Sequence, residues 1–140
     1  MAIQPYLFFS GRCEEAIAHY RKVLGAEVAM LMRFKDAPDK PPMPLPDGWD
    51  TKVMHAALNA RGTVMMVSDG DYADAQTFGG FSLSPNATDA ADAKRLFDGL
   101  AEGGQVRTPL GEMFFSPCFG MLADKFGVGW IVIVEPVSKP

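Results

Sequence analysis

Apolar and polar residues alternate along four short stretches in the first half of the chain, and this alternation predicts four β-strands. The four stretches are residues 3–9, 27–34, 53–60 and 63–68. Residues 12–24 repeat apolar side chains every three or four positions, which predicts an amphipathic helix. Its acids lie in the first turn and its bases in the last, and Gly25 follows as a helix stop. The first half therefore reads strand, helix, strand, strand, strand.

The second half repeats this order. A strand is predicted at residues 78–85, followed by a helix that Thr88 caps and that Gly103 and Gly104 end. The closing strand lies in residues 124–135, where a turn containing Gly127 precedes β-branched and aromatic residues. Three short apolar segments lie between the helix and this strand, at residues 105–108, 113–116 and 119–122.

The repeat predicts an α+β fold of two βαβββ modules within one structural domain. The first module covers residues 1–69, a polar linker covers 70–77, and the second module covers 78–140. Each module is apolar on one side only, so we expect each to need the other copy to bury that side.

A proline-rich loop at residues 35–51 interrupts the first module. It contains five prolines and cannot form regular structure. Its length favours either a lid or partner-binding arm, or a tolerated insertion, and the sequence leaves both readings open.

Composition narrows the class of protein. With 48% hydrophobic and 21% charged residues the chain is globular, and its net charge of -4 argues against nucleic acid as a partner. No apolar run approaches the roughly 20 residues of a membrane-spanning helix. The N-terminus has no basic region before an apolar one, so we expect no signal peptide, a cytoplasmic location and reduced Cys13 and Cys118.

Two histidines are candidates for chemistry. His19 falls on the polar side of the first helix and is predicted to be solvated. His55 shares a strand face with Ala57 and Asn59, opposite Met54, Ala56 and Leu58. It is either a proton-transferring or ligand-binding group, or a hydrogen-bonded structural one.

Other candidates have equally plain structural readings. Gln4 and Tyr6 share a face of the first strand, and a buried Gln needs partners that a ligand can supply. Ser68 and Asp69 end a strand, where capping competes with ligand binding. Aromatic residues, Phe114 and Trp130 among them, form either a pocket wall or core. We find no nucleophile motif, phosphate loop or methyl-donor site, and expect no cofactor.

Several motifs along nearly the whole chain carry a family resemblance. They are Pro5–Phe9, Gly11, Cys13–Ile17, Tyr20, Leu24–Glu27, Met65–Met66, Ser68–Asp69, Asp124–Gly127 and Trp130. In these motifs the sequence resembles the vicinal oxygen chelate superfamily of glyoxalase, bleomycin resistance and dioxygenase proteins. It is most similar to the PhnB-like branch, also called 3-demethylubiquinone methyltransferase-like.

The resemblance implies a fold and a site. Two βαβββ modules form mixed sheets around a shared cleft with the helices outside, and the chain forms a homodimer. Metal enzymes of the superfamily carry His, Glu or Gln ligands on the first and last strands of a module. The matching positions here hold Gln4, Gly80 or Phe81, and Ile131, a set that does not suit a divalent ion.

The leading hypothesis is a protein that binds a small, largely apolar molecule in the cleft between modules, without the usual metal site. The candidate ligand-binding residues are Gln4, Tyr6, His55, Asn59, Ser68, Asp69, Phe114, Trp130 and Ile131. One alternative is a metal-independent enzyme with His55 as acid or base and Gln4 and Asn59 orienting the substrate. Others are a metal-dependent lyase or dioxygenase, if an ion is found, and a purely structural role.

Overall fold

The computed structural model describes residues 3–38, 45–70 and 77–135. They belong to two compact units, Met1–Gln76 and Thr77–Pro140. Most of the predicted linker, at residues 71–76, and the centre of the proline-rich loop, at residues 39–44, lie outside the described residues.

The first unit is a helix on a four-stranded sheet. Its elements are β1 (Tyr6–Phe8), α1 (Cys13–Leu24), β2 (Glu27–Arg33), β3 (Val53–Ala60) and β4 (Thr63–Ser68). The strand order is β1-β4-β3-β2, with β1 parallel to β4 and the other pairs antiparallel. The predicted elements are all present, although the first strand is shorter than residues 3–9.

One face of this sheet supplies the core of the unit. Leu7, Ala56, Leu58, Met65 and Val67 are all buried, and so is the apolar side of α1. Alternation along each strand leaves the intervening side chains on the other face. The predicted division of β3, with His55, Ala57 and Asn59 opposite Ala56 and Leu58, agrees with the burial of these residues.

A buried carboxylate joins the helix to the sheet. Asp69, which is 0% exposed, accepts hydrogen bonds from the backbone N–H groups of Gly11 at 2.6 Å, Cys13 at 2.9 Å and Val53 at 3.2 Å. Two of these donors lie at the start of α1, where the helix dipole favours a negative charge. Asp69 therefore fixes the N-terminus of α1 against the β3 end of the sheet.

The described ends of the proline-rich loop are held at its base. Short 3-10 helices cover Phe34–Asp36 and Trp49–Thr51. The Phe34 N–H donates to the Lys52 carbonyl at 3.1 Å, and Arg33 makes an ion pair with Glu14 of α1 at 2.8 Å. These contacts close the base of the loop against α1.

The second unit repeats the topology of the first. Its elements are β5 (Asn86–Ala87), α2 (Ala90–Ala101), β6 (Gln105–Met113), β7 (Ser116–Ala123) and β8 (Gly129–Val134). The strand order is β5-β8-β7-β6, which matches β1-β4-β3-β2 position for position. The predicted α+β fold of two βαβββ modules is confirmed.

The first strand of this unit begins later than predicted. Leu83 pairs with Trp130, and Asn86 pairs with Ile133, three residues further along each of the two strands. A single register therefore continues through residues 84 and 85. Pro85 lies between these pairs and has no N–H to donate to the sheet. The regular strand is therefore confined to residues 86–87 and does not cover 78–85.

Three further sequence predictions are corrected in detail. Residues 113–116 form no separate segment, since β6 ends at Met113, β7 begins at Ser116, and Phe114 and Phe115 make the turn between them. The cap of α2 is Asp89 and not Thr88: its side chain accepts from the Asp92 N–H at 2.8 Å. His19 is 7% exposed and not solvated, because its ring lies beside Tyr20, with centroids 5.7 Å apart, at the edge of the apolar stripe.

A second buried carboxylate shapes the turn before β8. Asp124 Oδ1 accepts from the N–H groups of Phe126 at 2.9 Å and Val128 at 3.1 Å, and Oδ2 accepts from the Trp130 indole at 2.8 Å. The turn and the first residues of the closing strand thus depend on one side chain.

No helix among the described residues is long and apolar enough to cross a membrane.

We expect Asp69→Asn to lower the free energy of unfolding by about 2–3 kcal/mol, since an amide cannot accept all three backbone hydrogen bonds in this fully buried site. Urea denaturation followed by circular dichroism measures this change. Asp98→Asn is the matched control, because the Asp98 side chain is 60% exposed and pairs with Lys94 at the surface. Its expected cost is below about 0.5 kcal/mol, and equal losses for both variants would contradict the role of Asp69.

Candidate functional site

The sheet of the first unit has a second face that α1 does not cover. We call it the open face, and its members share one side of paired strands. They are Tyr6, Phe8, Met30, Met32, His55, Ala57 and Met66. The register runs across the sheet from Tyr6 to Met66, then to Ala57, then to Met30. Side chains from all four strands therefore lie on one continuous surface.

The open face is apolar and accessible. Tyr6 and Met30 are each 40% exposed, and Phe8, Met32, His55 and Met66 are half-buried. The rings of Tyr6 and Phe8 stack with centroids 4.8 Å apart and planes 19° apart. Such a surface offers flexible thioethers and flat rings to an apolar partner.

One polar pair lies within this surface. Tyr6 Oη and His55 Nδ1 are 2.9 Å apart, and the ring centroids are 5.5 Å apart. Burial raises the pKa of the Tyr6 hydroxyl above its ordinary value, although its hydrogen bond to Ser68 acts in the other direction. Tyr6 therefore remains a neutral phenol at neutral pH, able to hydrogen-bond either tautomer of the imidazole.

Ser68 and Asp69 have backbone partners. Ser68 Oγ donates to the Met54 carbonyl at 2.6 Å and accepts from the Gly70 N–H at 2.7 Å. Asp69 holds the start of α1 as described above. These hydrogen bonds to the backbone give both residues a structural role in the turn after β4.

The remaining candidates lie in different places. Gln4 and Asn59 are exposed, at the ends of the strand face that carries Tyr6 and His55. In the second unit Phe114 is 101% exposed in the β6–β7 turn, and Ile131 is half-buried on the side of β8 opposite α2. Trp130 is 3% exposed, in the core. The structure thus brings together Tyr6 and His55, with Ser68 behind them.

From the sequence, the methionines on predicted strands suit either an adaptable apolar cavity or an ordinary core, and none of them is named as a site residue. Met30 and Met32 are two residues apart on β2, so they share a strand face, and Met32 lies directly opposite His55 on β3. The signal was present as a Met-x-Met pattern in a predicted strand, but the pairing of β2 with β3 was needed to place it beside His55.

Neither cysteine resembles an activated nucleophile. Burial raises the pKa of the Cys13 thiol, and the nearby Asp69 and Glu14 carboxylates raise it further. Cys118 is buried as well. A thiol that remains protonated in the core is chemically inert.

The positions that correspond to metal ligands do not fit the divalent-ion site of the superfamily's enzymes. Phe81 and Ile131 have no donor atoms in their side chains, and Gln4 offers an amide. Across residues 3–38, 45–70 and 77–135, no three His, Cys, Asp or Glu side chains converge. At the positions that the resemblance equates with ligands, these side chains supply neither the imidazole nor the carboxylate that a divalent ion prefers.

Comparisons with known proteins agree on the relatives of this chain. It is 34% identical to protein YjdN of Escherichia coli K12, over 96% of this chain and 95% of that protein. The crystal structure of PA1353 from Pseudomonas aeruginosa matches with 40% identity and a TM-score of 0.84, over 96% of this chain and 98% of that one. A putative 3-demethylubiquinone-9 3-methyltransferase, PhnB protein, from Bacillus cereus matches with 27% identity and a TM-score of 0.77, over 96% and 99% of the two chains.

More distant structures share the fold alone. A glyoxylase/bleomycin resistance protein/dioxygenase domain from Frankia sp. EAN1pec is 17% identical, with a TM-score of 0.66 over 97% of this chain and 98% of that one.

A family model described as 3-demethylubiquinone-9 3-methyltransferase matches residues 1–133. The chain therefore belongs to this PhnB-like family, which has the glyoxalase/bleomycin resistance/dioxygenase fold.

Proposed function

We propose that this protein binds a small, largely apolar molecule on the open face of its first unit, without the metal site of the superfamily's enzymes. The observation that carries the proposal is the exposure of Tyr6 and Met30, each 40%, on the sheet face opposite the one that α1 covers. Covering exposed apolar surface is favourable by about 25 cal/mol per Å². A ligand that lies across this face would gain that energy.

The Tyr6–His55 pair supplies the polar part of the site. Its hydrogen bond orients both rings on an otherwise apolar surface. Small-molecule sites commonly combine apolar walls with a few fixed polar groups that select one orientation of the ligand. We therefore infer a ligand with an apolar body and one hydrogen-bonding group.

A second candidate function is proton transfer by His55 on the same bound molecule. The specific observation in its favour is the 2.9 Å contact with Tyr6, which leaves the second ring nitrogen, Nε2, for a substrate. A general acid or base needs this kind of orienting partner. The family description names a methyl transfer. Adding a sulfonium methyl donor to the turnover assay described below tests that reaction.

The resemblance also supports a homodimer as a proposal. In the second unit Phe114 is 101% exposed and Phe115 is 40% exposed, and their rings meet edge to face at 5.0 Å. Exposed aromatic residues in contact with each other are typical of interaction surfaces. A second copy of the chain is the partner we propose for this turn.

We expect Met30→Glu to weaken binding of the neutral apolar dye Nile red at least about tenfold, because a carboxylate on the open face would have to lose water beneath the dye. Fluorescence titration measures the dissociation constant. Leu31→Glu is the matched control: Leu31 is 38% exposed on the same strand but pairs with Ala56 on the opposite face. Equal effects of both variants, or no binding to the unmodified protein, would refute the open face as the site.

We expect His55→Gln to retain Nile red binding and to lose turnover of any ligand that displaces the dye and is chemically changed by the unmodified protein. The amide can hydrogen-bond Tyr6 but cannot transfer a proton at neutral pH. NMR of each ligand after incubation measures the conversion. Conversion that persists in His55→Gln rules out His55 as the acid or base, and its absence in the unmodified protein favours binding alone.

We expect the protein to have the mass of two chains by light scattering, and Phe114→Ser to shift it towards one chain. Phe81→Ser is the control, since Phe81 is also exposed, at 46%, but lies outside the β6–β7 turn. A monomeric unmodified protein would contradict the dimer, and a dimeric Phe114→Ser would contradict its location.

A further inference from the structure

Two thioethers and an imidazole lie side by side at the β2–β3 end of the open face. Met30 and Met32 point to the same side of β2 because they are two residues apart. His55 is the cross-strand partner of Met32, and Ala57 is the partner of Met30. A small side chain at position 57 leaves the space above it to its larger neighbours.

The spacing of Met30, Met32 and His55 allows their side chains to converge on one bound ion. Residues two apart in a strand are separated by about 6.6 Å, and directly opposed residues have Cβ atoms about 4.5–5.5 Å apart. A methionine side chain has three rotatable bonds and adapts its sulfur position at little cost. The two sulfur atoms and the ring of His55 can therefore meet at one point without a change in the backbone.

The contact with Tyr6 selects the ring nitrogen that is left for a ligand. His55 Nδ1 is 2.9 Å from Tyr6 Oη, and among the described residues Nε2 has no hydrogen-bond partner. A histidine that binds a metal through one nitrogen generally donates the N–H of the other to an oxygen acceptor. With the proton on Nδ1, His55 donates to Tyr6 and presents the lone pair of Nε2.

This donor set is soft. Thioether sulfur prefers Cu(I) among biological metals, and imidazole also binds copper, whereas hard ions such as Mg²⁺ and Ca²⁺ prefer oxygen. We propose that Met30, Met32 and His55 Nε2 form a three-coordinate site for Cu(I), with Tyr6 as the positioning residue. The site uses none of the strand positions at which the superfamily's enzymes carry their ligands. It goes beyond the proposed function, although it occupies part of the same face.

Titration with silver nitrate in chloride-free buffer tests the site, because Ag(I) shares the ligand preference of Cu(I) and is inert to air. We expect one Ag(I) per chain, with shifts of the Met30 and Met32 ε-methyl signals in ¹H–¹³C NMR spectra. Met30→Leu and Met32→Leu should each lower the association constant about tenfold or more, and Tyr6→Phe should lower it about tenfold, as loss of an orienting partner does. Competition with bicinchoninate under argon extends the measurement to Cu(I).

Met54→Leu is the matched control, because Met54 is a half-buried methionine that precedes His55 on β3 and lies on its opposite face. It should leave the association constant unchanged. Binding that survives Met30→Leu and Met32→Leu would assign the metal to the buried thiols of Cys13 or Cys118 and overturn the proposal. Loss of binding in Met54→Leu would also overturn it.

Two independent titrations of the unmodified protein, one with Nile red and one with Ag(I), separate this inference from the proposed function. Dye binding without any Ag(I) binding in the unmodified protein would refute the metal site alone, and the reverse result would refute only the apolar ligand.

Discussion

Each unit has one described α-helix for a sheet of four strands, and a helix can cover only one face of a sheet. In the first unit α1 buries the side that carries Leu7, Ala56 and Val67. The described residues on its other side, the open face, are half-buried or exposed. Its residues are apolar or aromatic, which water does not favour. This imbalance between covered and uncovered faces is the physical basis of each function proposed for the first unit.

Two buried carboxylates among the described residues, Asp69 and Asp124, illustrate how burial and hydrogen bonding separate structure from chemistry. Asp69 accepts from three backbone N–H groups, and Asp124 accepts from two backbone N–H groups and from an indole. Such full satisfaction stabilises a buried charge and leaves it little capacity for a substrate. His55 differs because it uses one ring nitrogen and lies on an accessible face.

The open face suits two kinds of ligand through the same atoms. Thioethers are apolar and adaptable towards organic molecules, and they are also soft donors towards monovalent copper. Tyr6 contributes a ring surface in the first case and an orienting hydroxyl in the second. The two uses differ in what they require of Met30: an apolar molecule needs its volume, whereas a metal needs its sulfur.

Local patterns in the sequence determined both α-helices, most of the strands and the duplicated order, because the periodicities of 3.6 and 2 are properties of neighbouring residues. They also placed His55 correctly on the face of β3 opposite to the face that carries Leu58. Tertiary structure decided the rest. Asp69 meets the N–H of Gly11 across 58 positions of sequence, Trp130 turns into the core to reach Asp124, and Met32 reaches His55 only through the pairing of β2 with β3. The contacts of Asp69 with Gly11 and of Met32 with His55 join residues far apart in the chain, and that of Trp130 with Asp124 closes a turn. No periodicity within one segment specifies any of them.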